Sequence, residues 1–233
     1  MTALECSRKG HTVRILERSP GPIETGDFFT VGPSAIKAFR SWPDMLEDNE
    51  RIAYDPWVSY HKHTGECIIP PGPMTWEGPE ISGETGDAPK RLYRHHRPKF
   101  HKMLLAQLEK VGLQVEYSHR VISYFEDGEL AKGGVILDNG EKIEADLVVA
   151  ADGVGTKSHI LVAGKKVVAK SSGFSIYRTA YPVEFALADE VVAGRFKMLE
   201  NGRSVNEIWV GPDMHMMLWR SEDMMSWLIT HRV

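Results

Sequence analysis

Asp146-Leu-Val-Val-Ala-Ala-Asp-Gly-Val-Gly155 decides the class of fold. An acidic residue leads into the apolar run Leu147 to Ala151, which stops abruptly at Asp152-Gly153. A nearly continuous apolar pentamer between polar residues reads as a strand buried on both faces, the kind found in a parallel α/β sheet. Asp-Gly then falls at the carboxyl end of that strand, where open α/β sheets bind their ligands.

The amino-terminal residues extend this reading. Leu4-Glu-Cys-Ser-Arg-Lys-Gly-His-Thr-Val-Arg-Ile-Leu-Glu-Arg18 reads as the end of a helix, a stop at Gly10 and a short strand of Val13, Ile15 and Leu16 closed by Glu17. Glycine just past a helix suits the left-handed position there. A carboxylate after the second strand of a dinucleotide-binding unit accepts hydrogen bonds from ribose hydroxyls, and Glu17 is placed for that role.

Together these stretches resemble the FAD-dependent aromatic hydroxylases, the single-component flavoprotein monooxygenases, in their fungal form. Residues 146–153 are similar to the family's D-L-h-V-G-A-D-G motif, and the Gly10 to Arg18 order is similar to its R-x-G-h-x-V-x-h-h-E-R segment. The resemblance implies an α/β chain: a partial Rossmann-like FAD-binding domain with a parallel sheet (residues 1–57 and 91–165) and an antiparallel β substrate-binding region (58–90 and 166–233). It also implies an oxidoreductase with FAD as cofactor and NAD(P)H as reductant. The substrates would be O2 and an aromatic or phenolic small molecule, in secondary metabolism. The family's G-x-G-x-x-G loop and its Gly-Asp flavin motif do not occur in the 233 residues. The resemblance therefore implies a larger protein incomplete here at both ends. The alternative expectations are a truncated, catalytically inactive relic of such an enzyme, or a partner subunit.

The middle of the chain carries further matches. Gly26-Asp-Phe-Phe-Thr-Val-Gly-Pro-Ser-Ala-Ile-Lys-Ala-Phe39 resembles the family segment that crosses the flavin, with Thr30 as the implied backbone contact. By its residues alone it reads as a strand followed by a helix begun at Pro33, since proline suits a first helical turn. In Leu92 to Leu108, Pro98 fits a helix start, and Phe100, Met103, Leu104 and Leu108 form one apolar face. This stretch resembles the family's h-x-R-x-x-L signature, which assigns Arg97 to the flavin pyrophosphate; a planar guanidinium fork suits phosphate oxygens.

Prolines and glycines crowd the region from Asp55 to Lys90. Short strands are expected at residues 58–61 and 67–69, then a loop from Pro70 to Lys90, because Pro70-Pro-Gly-Pro73 cannot continue a helix or a central strand. Residues 113–117 and 120–125 are strand-like. Asp138-Asn-Gly140 between Val135-Ile-Leu137 and Lys142-Ile143 signals a hairpin.

From Ser171 onward the pattern is antiparallel β. Residues 174–181 alternate up to Pro182, a hairpin is expected around Asn201-Gly202 joining 195–199 to 205–210, and Gly211-Pro-Asp213 separates two further strands. Arg178 stands where the family's substrate sheet carries an arginine facing the flavin pocket, which implies that it orients substrate or flavin. The logic is electrostatic: a phenolate is the electron-rich form that attacks an electrophilic oxygen. The many Met and Trp residues of this third read as core.

Composition excludes several classes. The net charge of −4 provides no basic field for nucleic acid. No apolar run approaches the roughly 18 to 20 residues of a membrane span. Cys6 and Cys67 lie far apart, with no C-x-x-C, so neither a zinc site nor a disulfide framework is expected, and a reducing, cytoplasmic setting is the default. Histidines 61, 63, 95, 96 and 101 are not expected to bind metal, because no set of them shares a face with a third ligand.

Overall fold

The computed structural model describes residues 1–74 and 92–233. In chain order the elements are α1 (Thr2–Arg8), β1 (Ile15–Leu16), β2 (Phe28–Val31), α2 (Pro33–Ile36), α3 (Pro43–Ile52), β3 (Trp57–Lys62), β4 (Cys67–Pro73), β5 (Tyr93–His96) and α4 (Arg97–Lys110). There follow β6 (Val115–Glu116), β7 (Val121–Asp127), β8 (Lys132–Leu137), β9 (Lys142–Ala145), α5 (His159–Ala163), β10 (Phe174–Pro182), α6 (Val183–Leu187), α7 (Glu190–Arg195), β11 (Val205–Gly211), β12 (Met214–Arg220) and β13 (Met224–Arg232). The fold is mixed α/β, with parallel and antiparallel pairing, as the sequence implies. Two compact units emerge: Met1–Ile23 with Leu108–Ser172, and Glu24–Gln107 with Gly173–Val233. Residues 24–57 and most of 91–107, expected with the flavin-binding part, thus cluster with the large antiparallel sheet.

In the first unit α1 ends as expected before Gly10, whose φ of +89° is the left-handed conformation that stops a helix. β1 pairs in parallel with β6, Ile15 opposite Val115 and Leu16 opposite Glu116. Arg14 clamps the Glu116 carboxylate with two bonds of 2.8 and 2.7 Å. β7, β8 and β9 form an antiparallel meander, and the Asp138-Asn-Gly140 turn sits where the hairpin signal placed it, with Gly140 at φ +87°. Val135 and Leu137 are buried beneath it.

The stretch 147–151 corrects an expectation. It is not a strand and is not buried: Leu147 is 74% and Val149 57% exposed. A fully buried parallel strand requires hydrogen-bonding neighbours on both edges and apolar layers on both faces. Among the described residues the only parallel pairing in this unit is the two-residue β1–β6 pair, and 147–151 joins no sheet.

The second unit is built on a six-stranded sheet of order β10-β13-β12-β11-β3-β4, antiparallel except where β11 runs parallel to β3. Arg178, Leu228, Met217, Ile208 and Tyr60 are successive cross-strand partners, so they form one row on one face. The β2–β5 pair lies over that face. Phe28 meets Trp219 edge-on with centroids 4.5 Å apart, and both rings are buried. Burial of such a ring contributes about 1.5–3 kcal/mol. The indole Nε1 of Trp219 donates to Ser204 Oγ at 2.9 Å, which satisfies its polar end. Trp219 and Met225 are core, as the composition of this third suggests.

Two further expectations are corrected here. β4 runs through Pro70-Pro-Gly-Pro73, which is possible because β4 is the sheet's edge strand and its missing N–H groups face away from the ladder. The remainder of the expected Pro70–Lys90 loop, from residue 75 on, lies outside the described residues. Residues 195–199 form no strand: Asp189 caps α7 through bonds to the N–H groups of Val191 and Val192, and the helix runs to Arg195. The Asn201-Gly202 turn is present, closed by a bond of 2.8 Å from Leu199 N to Arg203 O, but it leads out of a loop rather than a strand.

Candidate functional site

In the first unit Glu17 lies directly after β1, as anticipated. Its Oε1 accepts from both the N–H and the hydroxyl of Ser19 at 2.8 Å. The Ser19 backbone bond holds the carboxyl below the ordinary glutamate range, so Glu17 is an acceptor at neutral pH. Asp152 and Gly153 form an exposed turn in which Gly153 has φ +78°, open to glycine and strained for other residues. Asp152 Oδ2 accepts from Tyr124 OH at 2.7 Å. Burial and that bond push the Tyr124 hydroxyl up to about 12, which keeps it a donor. Burial opposes ionisation of Asp152, but bonds from Thr156 and Tyr124 outweigh it and hold the carboxyl below the usual range. No printed bond or ion pair joins Glu17 to Asp152 among the described residues.

In the second unit Thr30 lies on β2 opposite Arg94 of β5. Arg97 opens α4, its N–H bound to Asp27 O at 3.0 Å. Gly26 packs so closely against it that a Cβ there would sit 3.1 Å from Arg97 Cβ. The Arg97 side chain is exposed and is held in no ion pair among the described residues. Arg178 is also exposed, with its Nε 3.6 Å from Asp27 Oδ2, and stands on the same sheet face as Met217, Ile208 and Tyr60. Asp27 further accepts from Ser226 Oγ at 3.2 Å.

Sequence reasoning missed what lies next to these residues. A cavity of about 330 Å³ opens between β2–β5 and the sheet, walled by Thr30, Tyr60, Arg94, Asn206, Ile208 and Met217 among others. Its size is in the range of small-molecule sites. Arg94 is 6% exposed, and its guanidinium lies over the rings of Trp219 (4.7 Å) and Phe28 (5.5 Å). A second cluster joins Lys99 Nζ, Tyr54 OH and Asp223, with bonds of 2.6 and 2.7 Å from the ammonium. The signal for Arg94 was in plain view, an arginine three residues before Arg97 on an expected strand, but only the sheet beneath it makes it a buried charge.

Among the described residues no group of His, Cys, Asp and Glu could hold a metal ion, and no helix is long and apolar enough to cross a membrane. His61, half-buried, bonds Ser59 Oγ at 2.9 Å and stacks on Trp209. Both cysteines are free.

No protein-family model matches the chain. Curated relatives do, and across its whole length. An FAD-dependent monooxygenase of Claviceps purpurea (strain 20.1) is 45% identical over 234 residues, covering 100% of this chain and 46% of that protein. The FAD-dependent monooxygenase dmxR9 of Cryptosporiopsis sp. (strain 8999) is 46% identical over 236 residues, covering 100% of this chain and 44% of its own length. Among solved structures, CtdE in complex with FAD and substrate 4 superposes with a TM-score of 0.83 at 24% identity, over 99% of this chain and 54% of that one. FqzB superposes with a TM-score of 0.79 at 20% identity, over 99% of this chain and 50% of its own. The chain spans about half the length of the curated relatives it matches. By sequence and fold it is a relative of the fungal FAD-dependent monooxygenases, matched from end to end of its own 233 residues.

Proposed function

We propose that the chain is part of an FAD-dependent monooxygenase that hydroxylates an aromatic or phenolic small molecule with NAD(P)H and O2, in fungal secondary metabolism. One observation carries this reading: identity of 38–46% to six proteins named FAD-dependent monooxygenases, without a gap in coverage at either end of this chain beyond its last few residues.

The residues fit the cofactor. Glu17 spends only Oε1 on Ser19, so Oε2 remains to accept from the adenosine ribose hydroxyls. Arg97 is an exposed guanidinium at a helix start, and its fork suits pyrophosphate oxygens. Thr30 contributes a backbone contact to the flavin, and the Asp152-Gly153 turn lets backbone approach it without a Cβ in the way. Bound FAD, reduced by the nicotinamide, supplies the electron pair that splits dioxygen, leaving one oxygen on the ring and releasing the other as water. Arg178 holds an acidic hydroxyl of the substrate in its anionic form, which raises the electron density of the ring carbon to be attacked. Its partner Asp27, 3.6 Å away, keeps the guanidinium turned toward the sheet face.

The test uses the protein expressed from its complete coding sequence. It is expected to purify with FAD, to lose affinity for FAD about tenfold or more in Arg97→Ala, and to keep FAD but lose substrate-dependent NAD(P)H oxidation in Arg178→Ala. A protein that binds no FAD would refute the reading. Unchanged turnover and substrate affinity in Arg178→Ala would remove that residue's role.

A further inference from the structure

The charges on the inner sheet face of the second unit do not balance. Arg94 and Arg178 are both cationic, and Asp27 is the one carboxylate that interacts with them: an ion pair with Arg178 and a longer-range attraction to Arg94. The neighbouring Lys99 is already matched by Asp223 at 2.7 Å. Arg94 is the buried member of the pair. Its Nε is fully enclosed without a hydrogen-bond partner, and no hydrogen bond to the rest of its guanidinium is printed among the described residues. Burial lowers its pKa to about 10, far enough above neutrality that it stays charged.

A desolvated guanidinium without hydrogen bonds is costly. The rings of Trp219 and Phe28 recover part of that cost through their π faces, but a ring face offers no lone pair to an N–H. A second unpartnered polar atom, Asn206 Oδ1, is buried in the wall of the same cavity. The cavity on the opposite face of the sheet is different. There Arg195 is bound by Glu207 at 2.8 and 2.6 Å, and Arg220 donates to Phe196 O at 2.7 Å. Only the inner cavity keeps a buried cation and a buried acceptor in want of partners, between apolar walls of Val58, Ile208 and Met217.

We propose that this cavity is an anion-accepting aromatic subsite, in which Arg94 donates to the anionic oxygen of a planar ring and the Asn206 side-chain amide takes an adjoining hydroxyl. The ligand is then an acidic hydroxyarene or enolised quinone of two or three rings: flat, apolar on its faces and negative at one edge. Arg94 acts as a binding and specificity residue, separate from Arg178, which stands three strands from β11 on the same face, about 14 Å at ordinary strand spacing. That this ligand is the substrate rests on the monooxygenase reading; that the subsite selects an anion does not.

The test is calorimetric titration of the complete protein with 2-hydroxy-1,4-naphthoquinone, which is anionic at neutral pH, and with its neutral methyl ether. The wild type is expected to bind the anion about tenfold to a hundredfold more tightly, the usual worth of a hydrogen bond to a charged group. Arg94→Met keeps the side chain's length and removes the charge; it is expected to bind both probes alike, and a circular-dichroism melt checks that it is folded. Asn206→Asp, a near-isosteric change that places a carboxylate in the same cavity, is expected to abolish the preference as well. A wild type that does not prefer the anion, or variants that keep the preference, would overturn the inference. Flavin content is measured on the same samples. A protein without FAD whose anion preference depends on Arg94 sinks the monooxygenase reading and leaves the subsite standing. A flavoprotein indifferent to Arg94→Met sinks the subsite alone.

Discussion

Two adjacent glycines in β8 provide a sharp test of how the first unit is packed. Neither Gly133 nor Gly134 has a positive φ, so backbone strain does not separate them. Space does. A Cβ on Gly133 would meet its nearest neighbour, Val148, at 3.6 Å, an ordinary contact. A Cβ on Gly134 would stand 2.1 Å from Phe125 Cζ and 2.5 Å from the backbone oxygen of Ile143. Gly134 is the cross-strand partner of Phe125, whose ring lies across it with Lys142 Nζ 4.2 Å from the ring centroid. Alanine in place of glycine stabilises by about 0.4–1 kcal/mol where the geometry tolerates it, chiefly by restricting the unfolded chain. Gly133→Ala should therefore be neutral to slightly stabilising. Gly134→Ala must displace the ring and then meets backbone that cannot move without breaking the β8–β9 ladder. Overpacking of this kind costs about 1–3 kcal/mol, and loss of the exposed cation–π contact adds about 0.5–1 kcal/mol. The two variants should differ by about 2–4 kcal/mol, read as a shift in urea midpoint at constant slope by far-UV circular dichroism. Phe125→Leu should recover part of the Gly134→Ala loss but not all of it, since the Ile143 oxygen remains. Stabilities of the two alanine variants within about 0.5 kcal/mol of each other would refute the packing described for this meander.

Two other perturbations probe the second unit. Burial would raise the Glu207 pKa, but the Arg195 clamp and the Trp209 indole N–H at 2.9 Å outweigh it and hold the carboxyl below its ordinary 4.5. A lowered folded pKa means the stabilisation is complete above pH 4.5 and is lost as pH falls through the folded value. Glu207→Gln should cost about 1–2 kcal/mol at pH 7, discounted because Arg195 is half exposed, and should flatten the fall in stability below pH 4.5; an unchanged acid profile would contradict the clamp. Trp219→Phe removes the bond to Ser204, worth about 1 kcal/mol, and leaves a void of about 40 Å³ that adds about 1 kcal/mol. It should lower stability by about 2 kcal/mol and couple to Ser204→Ala in a double-mutant cycle, whereas strict additivity would show that the bond contributes nothing.

Local chemistry determined a good part of this protein by sequence alone. Gly10 stops α1, Pro98 opens α4, Asp138-Asn-Gly140 turns β8 into β9 and Gly211-Pro-Asp213 turns β11 into β12. Each depends on backbone freedom or a missing N–H, which neighbouring residues specify without help from distant chain. Glu17 after β1 and Arg97 at the start of α4 were legible for the same reason. Properties that depend on what lies opposite were not. The apolar run 147–151 has the composition of a buried strand, but composition cannot supply the neighbouring strands that would make it one. Pro70 to Pro73 looks incompatible with a sheet until the strand is known to lie at its edge. Arg94 reads as one more cation in a basic stretch. Its burial over Trp219, 125 positions farther along the chain, and its want of a hydrogen-bond partner come from the packing of β5 on a sheet assembled from both ends of the second unit. Charge in a sequence is local, whereas its desolvation is set by every element packed against it, and only the tertiary structure decides that.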